Sequence, residues 1–125
     1  MKVYLCGAIN GCSDSEAKIW RKEVLKVFPE SINPLRRDYR GVEDRFYREI
    51  VDLDKKDIRE CDLLLAKFLK PSAGSSMEVL YGWSLGKIVI AWCDENTGIS
   101  PWIRYHSTKI VYTLEEAIST IGRMK

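Results

Sequence analysis

The chain has 125 residues, 46% hydrophobic and 30% charged, which fits one soluble domain over residues 1–125 with a modest core. Its formal net charge of +2 is spread through every segment, so no polymeric nucleic acid is expected as a partner, and any bound phosphate should belong to a small molecule. The apolar start is too short for a signal peptide and no stretch is long enough to cross a bilayer, so a cytoplasmic location without a membrane partner is expected.

Lys2 to Cys6 reads as a short apolar strand, and Gly7 through Cys12 supplies turn chemistry after it. Ser13 with Glu16 forms a capping-box start, and Ala17, Trp20, Val24, Val27 and Phe28 recur at helical spacing until Pro29, predicting a helix over 14–28. A second, short strand is expected near Ser31 to Asn33. Pro34 to Gly41 has no periodicity and reads as an exposed loop, carrying Arg36, Arg37, Asp38 and Arg40. From Val42 to Glu60, Tyr47, Ile50, Val51, Asp54 and Ile58 share one helical face, which puts the Asp54 carboxylate on an apolar stripe.

Asp62 to Phe68 is almost continuously aliphatic, as in a strand buried on both faces of a parallel sheet. After a loop from Leu69 to Gly74, Ser75 opens a helix that Gly86 ends, and Ile88 to Trp92 makes another buried strand. Asp94 to Ser107 is loop-like, and Lys109 to Tyr112 is the last strand. Thr113 and Glu116 cap the closing helix. The alternation predicts a single doubly wound α/β domain of flavodoxin- or Rossmann-like type, with about five parallel strands and helices on both faces.

Cys6, Cys12, Cys61 and Cys93 form no C-x-x-C pair and His106 is the only histidine, so reduced thiols and no metal site are expected. In an open α/β sheet ligands bind beyond the carboxyl ends of the strands. Three loops qualify there, and Leu69 to Glu78 is the most informative, with three serine hydroxyls and a helix start aimed at one place. It is neither a Walker loop nor a dinucleotide fingerprint. Glu78 has two readings: the far half of a Ser75-x-x-Glu78 capping box, or a carboxylate offered to a ligand. Asp54 likewise reads either as a surface partner of Lys55 or Arg59 or as a site residue. Two carboxyls from separate segments at one sheet edge suit glycoside chemistry, in which one attacks the anomeric carbon and the other handles protons.

Val3-Tyr4-Leu5-Cys6-Gly7-Ala8-Ile9, Asp54 eight residues before Asp62, and Pro71-Ser72-x-Gly74 running to Glu78 together resemble the nucleoside 2-deoxyribosyltransferase family, especially its hydrolases of nucleoside 5′-monophosphates. The resemblance implies Glu78 as nucleophile, Asp54 as the second acid and Tyr4 as the group orienting Glu78 or the sugar. It implies a substrate site at Gly7, Ala8, Ile9, Asn10, Ser72 and Gly74. Ser72 tilts the choice toward a 5′-phosphate, since the transferases carry aspartate there. Ala8 and Asn10 stand where the hydrolases have a serine and a basic residue, so Arg37 or Arg40 is expected to supply the missing donors. Ser100 matches a serine that the family offers across a dimer interface, which implies a homodimer or higher homo-oligomer. The expected partner is a small-molecule nucleoside or nucleotide, and no cofactor is needed. The alternative is a catalytically silent nucleotide-binding sensor or interaction module. Trp102 and Tyr105 remain open as base-stacking groups, whereas Trp83 and Trp92 read as core and His106 as a surface or interface residue.

Overall fold

A computed structural model describes residues 1–124. Four strands, β1 (Val3–Gly7), β2 (Leu63–Lys67), β3 (Ile88–Trp92) and β4 (Lys109–Val111), pair in parallel in the order β1-β2-β3-β4. The register sets Tyr4 beside Leu64 and Leu64 beside Val89. The helices are α1 (Asp14–Val27), α2 (Glu43–Glu60), α3 (Ala73–Ser84), α4 (Pro101–Tyr105) and α5 (Leu114–Arg123).

Alternation along the strands divides the core. Val3, Leu5, Leu63, Leu65, Ile90 and Val111 pack against Trp20, Val24 and Phe28 of α1 and Ala117 and Ile121 of α5. Tyr4, Cys6, Leu64, Ala66 and Val89 face the other way, onto Ile58 of α2 and Val79 of α3. Both faces are covered, which is why the strands read as unbroken apolar runs.

The strand expected at Ser31 to Asn33 is a single bridge: the Leu5 amide donates to the Ile32 carbonyl at 3.0 Å and the Ile32 amide to the Val3 carbonyl at 2.8 Å. The sheet therefore has four strands where about five were expected. Pro29 and Pro34 bracket this segment, and Asn33 is taken up by capping a 3-10 turn over Pro34–Arg36, so no run remains to extend the ladder. The bridge still fixes the topology. From β1 the chain first goes outward to Ile32 and then returns past β1 to β2, so order reverses at β1, and the crevice opens beyond the carboxyl ends of β1 and β2.

Three helices show features that the sequence pattern did not specify. α3 begins at Ala73, with Ser72 as its cap accepting the Ser75 amide, two residues earlier than expected. The apolar stripe of α2 is only partly covered, with Tyr47 and Val51 exposed, because it borders an open cleft of about 510 Å³ between α2 and α3. α4 lies within the stretch expected to be loop, started by the Ser100 side chain accepting the Trp102 amide with Pro101 at the first turn. α3 lies close on the sheet at Gly82, where a Cβ would come within 2.6 Å of the Leu64 side chain. No helix of the described residues is long and apolar enough to cross a membrane.

Candidate active site

At the crevice a cavity of about 290 Å³ is lined by Glu78, Asp54, Arg37, Ser72 and Gly74, with Gly7, Ile9 and Asn10 of the loop after β1 forming one wall. Three elements bring the carboxyls together: α3 carries Glu78 one and a half turns from its start, α2 carries Asp54 from the opposite side, and β1 lies beneath.

Glu78 is the sixth residue of α3, too deep to cap it. Its carboxylate instead accepts the Tyr4 hydroxyl through Oε2, and the Cys6 thiol lies 3.9 Å from Oε1. Tyr4 and Cys6 are i and i+2 on β1 and so point to the same face of the sheet. Tyr4 is completely buried. Burial pushes the Glu78 carboxyl up to about 7; the Tyr4 hydrogen bond works against this and the Asp54 charge adds to it. As the sixth residue of α3, Glu78 lies beyond the first turn, to which the helix macrodipole's influence is largely confined. Tyr4 in turn is held protonated, raised by burial and by the Glu78 charge, so it serves only as a donor.

Asp54 is half-buried and sits 3.5 Å from Arg37 Nη2. The same guanidinium nitrogen makes a closer pair, 2.6 Å, with Asp57, one turn further along α2, and Arg36 binds the other Asp57 oxygen at 3.0 Å. Burial raises Asp54 to about 6 although Arg37 pulls against it. Burial also pushes Asp57 upward, but its two guanidinium partners more than offset this and hold it below its ordinary value. Asp57 is therefore the permanent counter-charge of Arg37, and Asp54 is the carboxyl left raised toward the range in which it can exchange a proton. Sequence reading passed over Asp57, although its spacing of three from Asp54 placed both on one face.

Arg40 lines the mouth of the cavity and is pinned by Asp38 at 2.6 Å and Asp14 at 2.7 Å. Ala8 does not line the carboxylate cavity. It faces a separate hollow of about 230 Å³ with Cys12, Lys67 and Lys70. Ser100 lines a third cavity, of about 390 Å³, beyond Ser72. Trp102 and Tyr105 are exposed and gather around His106, with Trp102 stacked on the imidazole at 5.9 Å, well apart from the carboxylates in the fold. Among the described residues no group of three or more His, Cys, Asp or Glu side chains is gathered to hold a metal.

The fold and site define a class: an open parallel α/β sheet with a carboxyl pair, one member held by a strand tyrosine, at the reversal of strand order. Solved structures that share the fold include the CMP N-glycosidase BcmB of Clostridium botulinum, at TM-score 0.66 and 19% identity over 98% of this chain and 99% of that one. They also include a 2-deoxyribosyltransferase from the psychrotolerant bacterium Bacillus psychrosaccharolyticus, at 0.78 and 15% over 94% and 90%. A conserved protein from Enterococcus faecalis V583 matches at 0.76 and 14% over 99% and 98%. No family model matches the chain, and no curated protein matches it.

Proposed function

We propose that residues 1–125 form one nucleoside 2-deoxyribosyltransferase-like domain that cleaves the N-glycosidic bond of a nucleoside or nucleoside 5′-monophosphate through a glycosyl ester on Glu78. The observation that carries this reading is the setting of Glu78: a carboxylate too deep in its helix to be a cap, gripped by Tyr4, and facing a cavity that it shares with a second carboxyl, Asp54. Two neighbours in fold, a CMP N-glycosidase and a 2-deoxyribosyltransferase, support the same chemistry.

Tyr4 binds Oε2 and leaves Oε1 as the attacking oxygen, with only the weak Cys6 thiol beside it. Oε1 bonds to C1′ as the C1′–N bond breaks; its electron pair goes to the base, which takes the Asp54 proton. Water or a second base then attacks C1′, the Glu78 ester bond breaks to restore the carboxylate, and the acceptor's proton returns to Asp54. Gly7, Ile9, Asn10, Ser72 and Gly74 hold the sugar and its 5′ end, with Arg37 and Arg40 as the nearest cations. Ser100, which lines a different cavity of its own chain, serves the Glu78 pocket of a second copy in a homodimer. The four cysteines are free, which fits a cytoplasmic protein.

The test is incubation with nucleosides and nucleoside monophosphates, in ribo and deoxy forms, with and without a second free base, following released or exchanged base by chromatography. Turnover by the wild type and at least a thousandfold loss in Glu78→Gln is expected, on the order of what removing a nucleophile costs. Tight binding with no turnover on any substrate would replace this reading with the nucleotide sensor.

A further inference from the structure

Arg21 of α1 is the largest fully buried side chain of the protein, and among the described residues no carboxylate lies within ion-pair distance of it. Its partners are backbone carbonyls: Nη1 donates to Ala17 at 2.7 Å, Nε and Nη2 to Leu5 at 3.3 and 3.2 Å, and Nη2 to Gly7 at 3.2 Å. The guanidinium also stacks over Trp20 at 4.6 Å. A buried charge without a counter-ion is costly, and three carbonyls alone could be served by a neutral donor.

The strand geometry shows where the charge acts. Leu5 and Gly7 flank Cys6, whose side chain points to the opposite face and reaches the Ser75 carbonyl and Glu78 Oε1. Arg21, on α1, thus lies on the other face of β1 from the Glu78 carboxylate, in an interior that screens poorly. The groups facing Glu78 are Tyr4 and Cys6 from β1 and Asp54 from α2, with Arg37 acting through Asp54 and Arg40 and Glu43 at the cavity mouth. β2 and β3 present only Leu64, Ala66 and Val89 to that face. Arg37 and Arg40 are each neutralised by two aspartates, while Lys55 and Lys67, which pair with no carboxylate among the described residues, lie over aromatic rings and are not fully buried, so Arg21 is the fully buried cation near this site whose charge is not spent on a carboxylate.

We propose that Arg21 is a positioning residue of this site: its buried charge favours the ionised form of Glu78, and its fork fixes the end of β1 and the loop that walls the pocket. The role in turnover rests on the N-glycosidase reading, but the effect on Glu78 does not.

The test labels glutamate carboxyls with carbon-13, assigns Glu78 by the signal lost in Glu78→Gln, and follows its titration by NMR. It compares wild type with Arg21→Met, Arg21→Gln and Arg21→Lys. Both neutral variants should move the Glu78 midpoint, and the acid limb of kcat/KM, upward by about half a pH unit or more, while Arg21→Lys restores most of the shift. An unmoved midpoint in a folded neutral variant overturns the proposal. If neither neutral variant folds, Arg21→Lys decides, because it keeps the charge and loses the fork: a wild-type midpoint with lowered kcat/KM supports the proposal, and a raised midpoint overturns it. Absence of turnover in the wild type would remove the enzymatic reading and leave the titration intact as a measure of Arg21.

Discussion

Glu78 and Ser75 share a spacing that suits a capping box, and the two readings of Glu78 could be separated only by finding where α3 starts. Ser72 takes the cap, which moves Glu78 into the second turn and frees its carboxylate for Tyr4. The tyrosine contact itself has no local signature, since its partners lie 74 residues apart. Asp54 was visible as a polar break in an apolar stripe, whereas Asp57 and Arg21 were not, because a buried charge looks in sequence like any exposed one. Ser72 offers a direct test of substrate choice. Its hydroxyl is already engaged by the Ser75 amide at 3.2 Å and lies on the cavity wall, so an aspartate there keeps a capping oxygen and adds negative charge. Ser72→Asp is expected to lower kcat/KM for monophosphates at least tenfold relative to the matching nucleosides, an effect of about 1.4 kcal/mol. An unchanged ratio in a competition assay would remove the 5′-phosphate from this part of the pocket.

The elements themselves were largely legible where period and length agreed. Ile88–Trp92 was expected at the residues where it occurs, α1 differs from expectation by one residue at its end, and the Ser13–Glu16 capping box is present in both directions. Failures came where a segment was short. Ser31 to Asn33 forms one bridge, and the five-residue α4 was hidden in a loop although Ser100-Pro101 is a start signal. The apolar stripe of α2 borders a cleft, and amphipathic spacing alone cannot tell such a face from one packed inside. Contact between α3 and β2 is closest at Gly82, where an added methyl meets the wholly buried Leu64. Gly82→Ala gains helix propensity but overpacks this contact, and a net loss of about 1–2 kcal/mol in urea denaturation is expected. A stabilised variant would mean that α3 can lift off the sheet without cost.

Across the whole molecule, the carboxyl pair links stability to pH. Both folded values are raised, Glu78 from 4.5 to about 7 and Asp54 from 3.8 to about 6, so the folded state binds more protons than the unfolded chain between those limits. Stability must then fall as pH rises through that window: the penalty is absent below pH 4 and complete above pH 7. Glu78→Gln removes one share of it and should stabilise the protein by about 1–3 kcal/mol at pH 8 but little at pH 4. Equal changes at both pH values in denaturant titrations would show that the carboxyl is not strained by burial.

The parallel register also dictates when this molecule can come into being. Apart from the single bridge to Ile32, β1 finds its ladder partner in β2, so the contact between the Lys2 amide and Asp62 closes a loop of 60 residues, and the tyrosine cannot meet its glutamate until still more chain exists. On a ribosome β1 must wait, held at most by the Ile32 bridge, until the residues of β2 have been made. The geometry of the carboxyl pair is thus a late product of synthesis, and slow, non-local folding is the kinetic consequence of pairing β1 with a strand about 60 residues away.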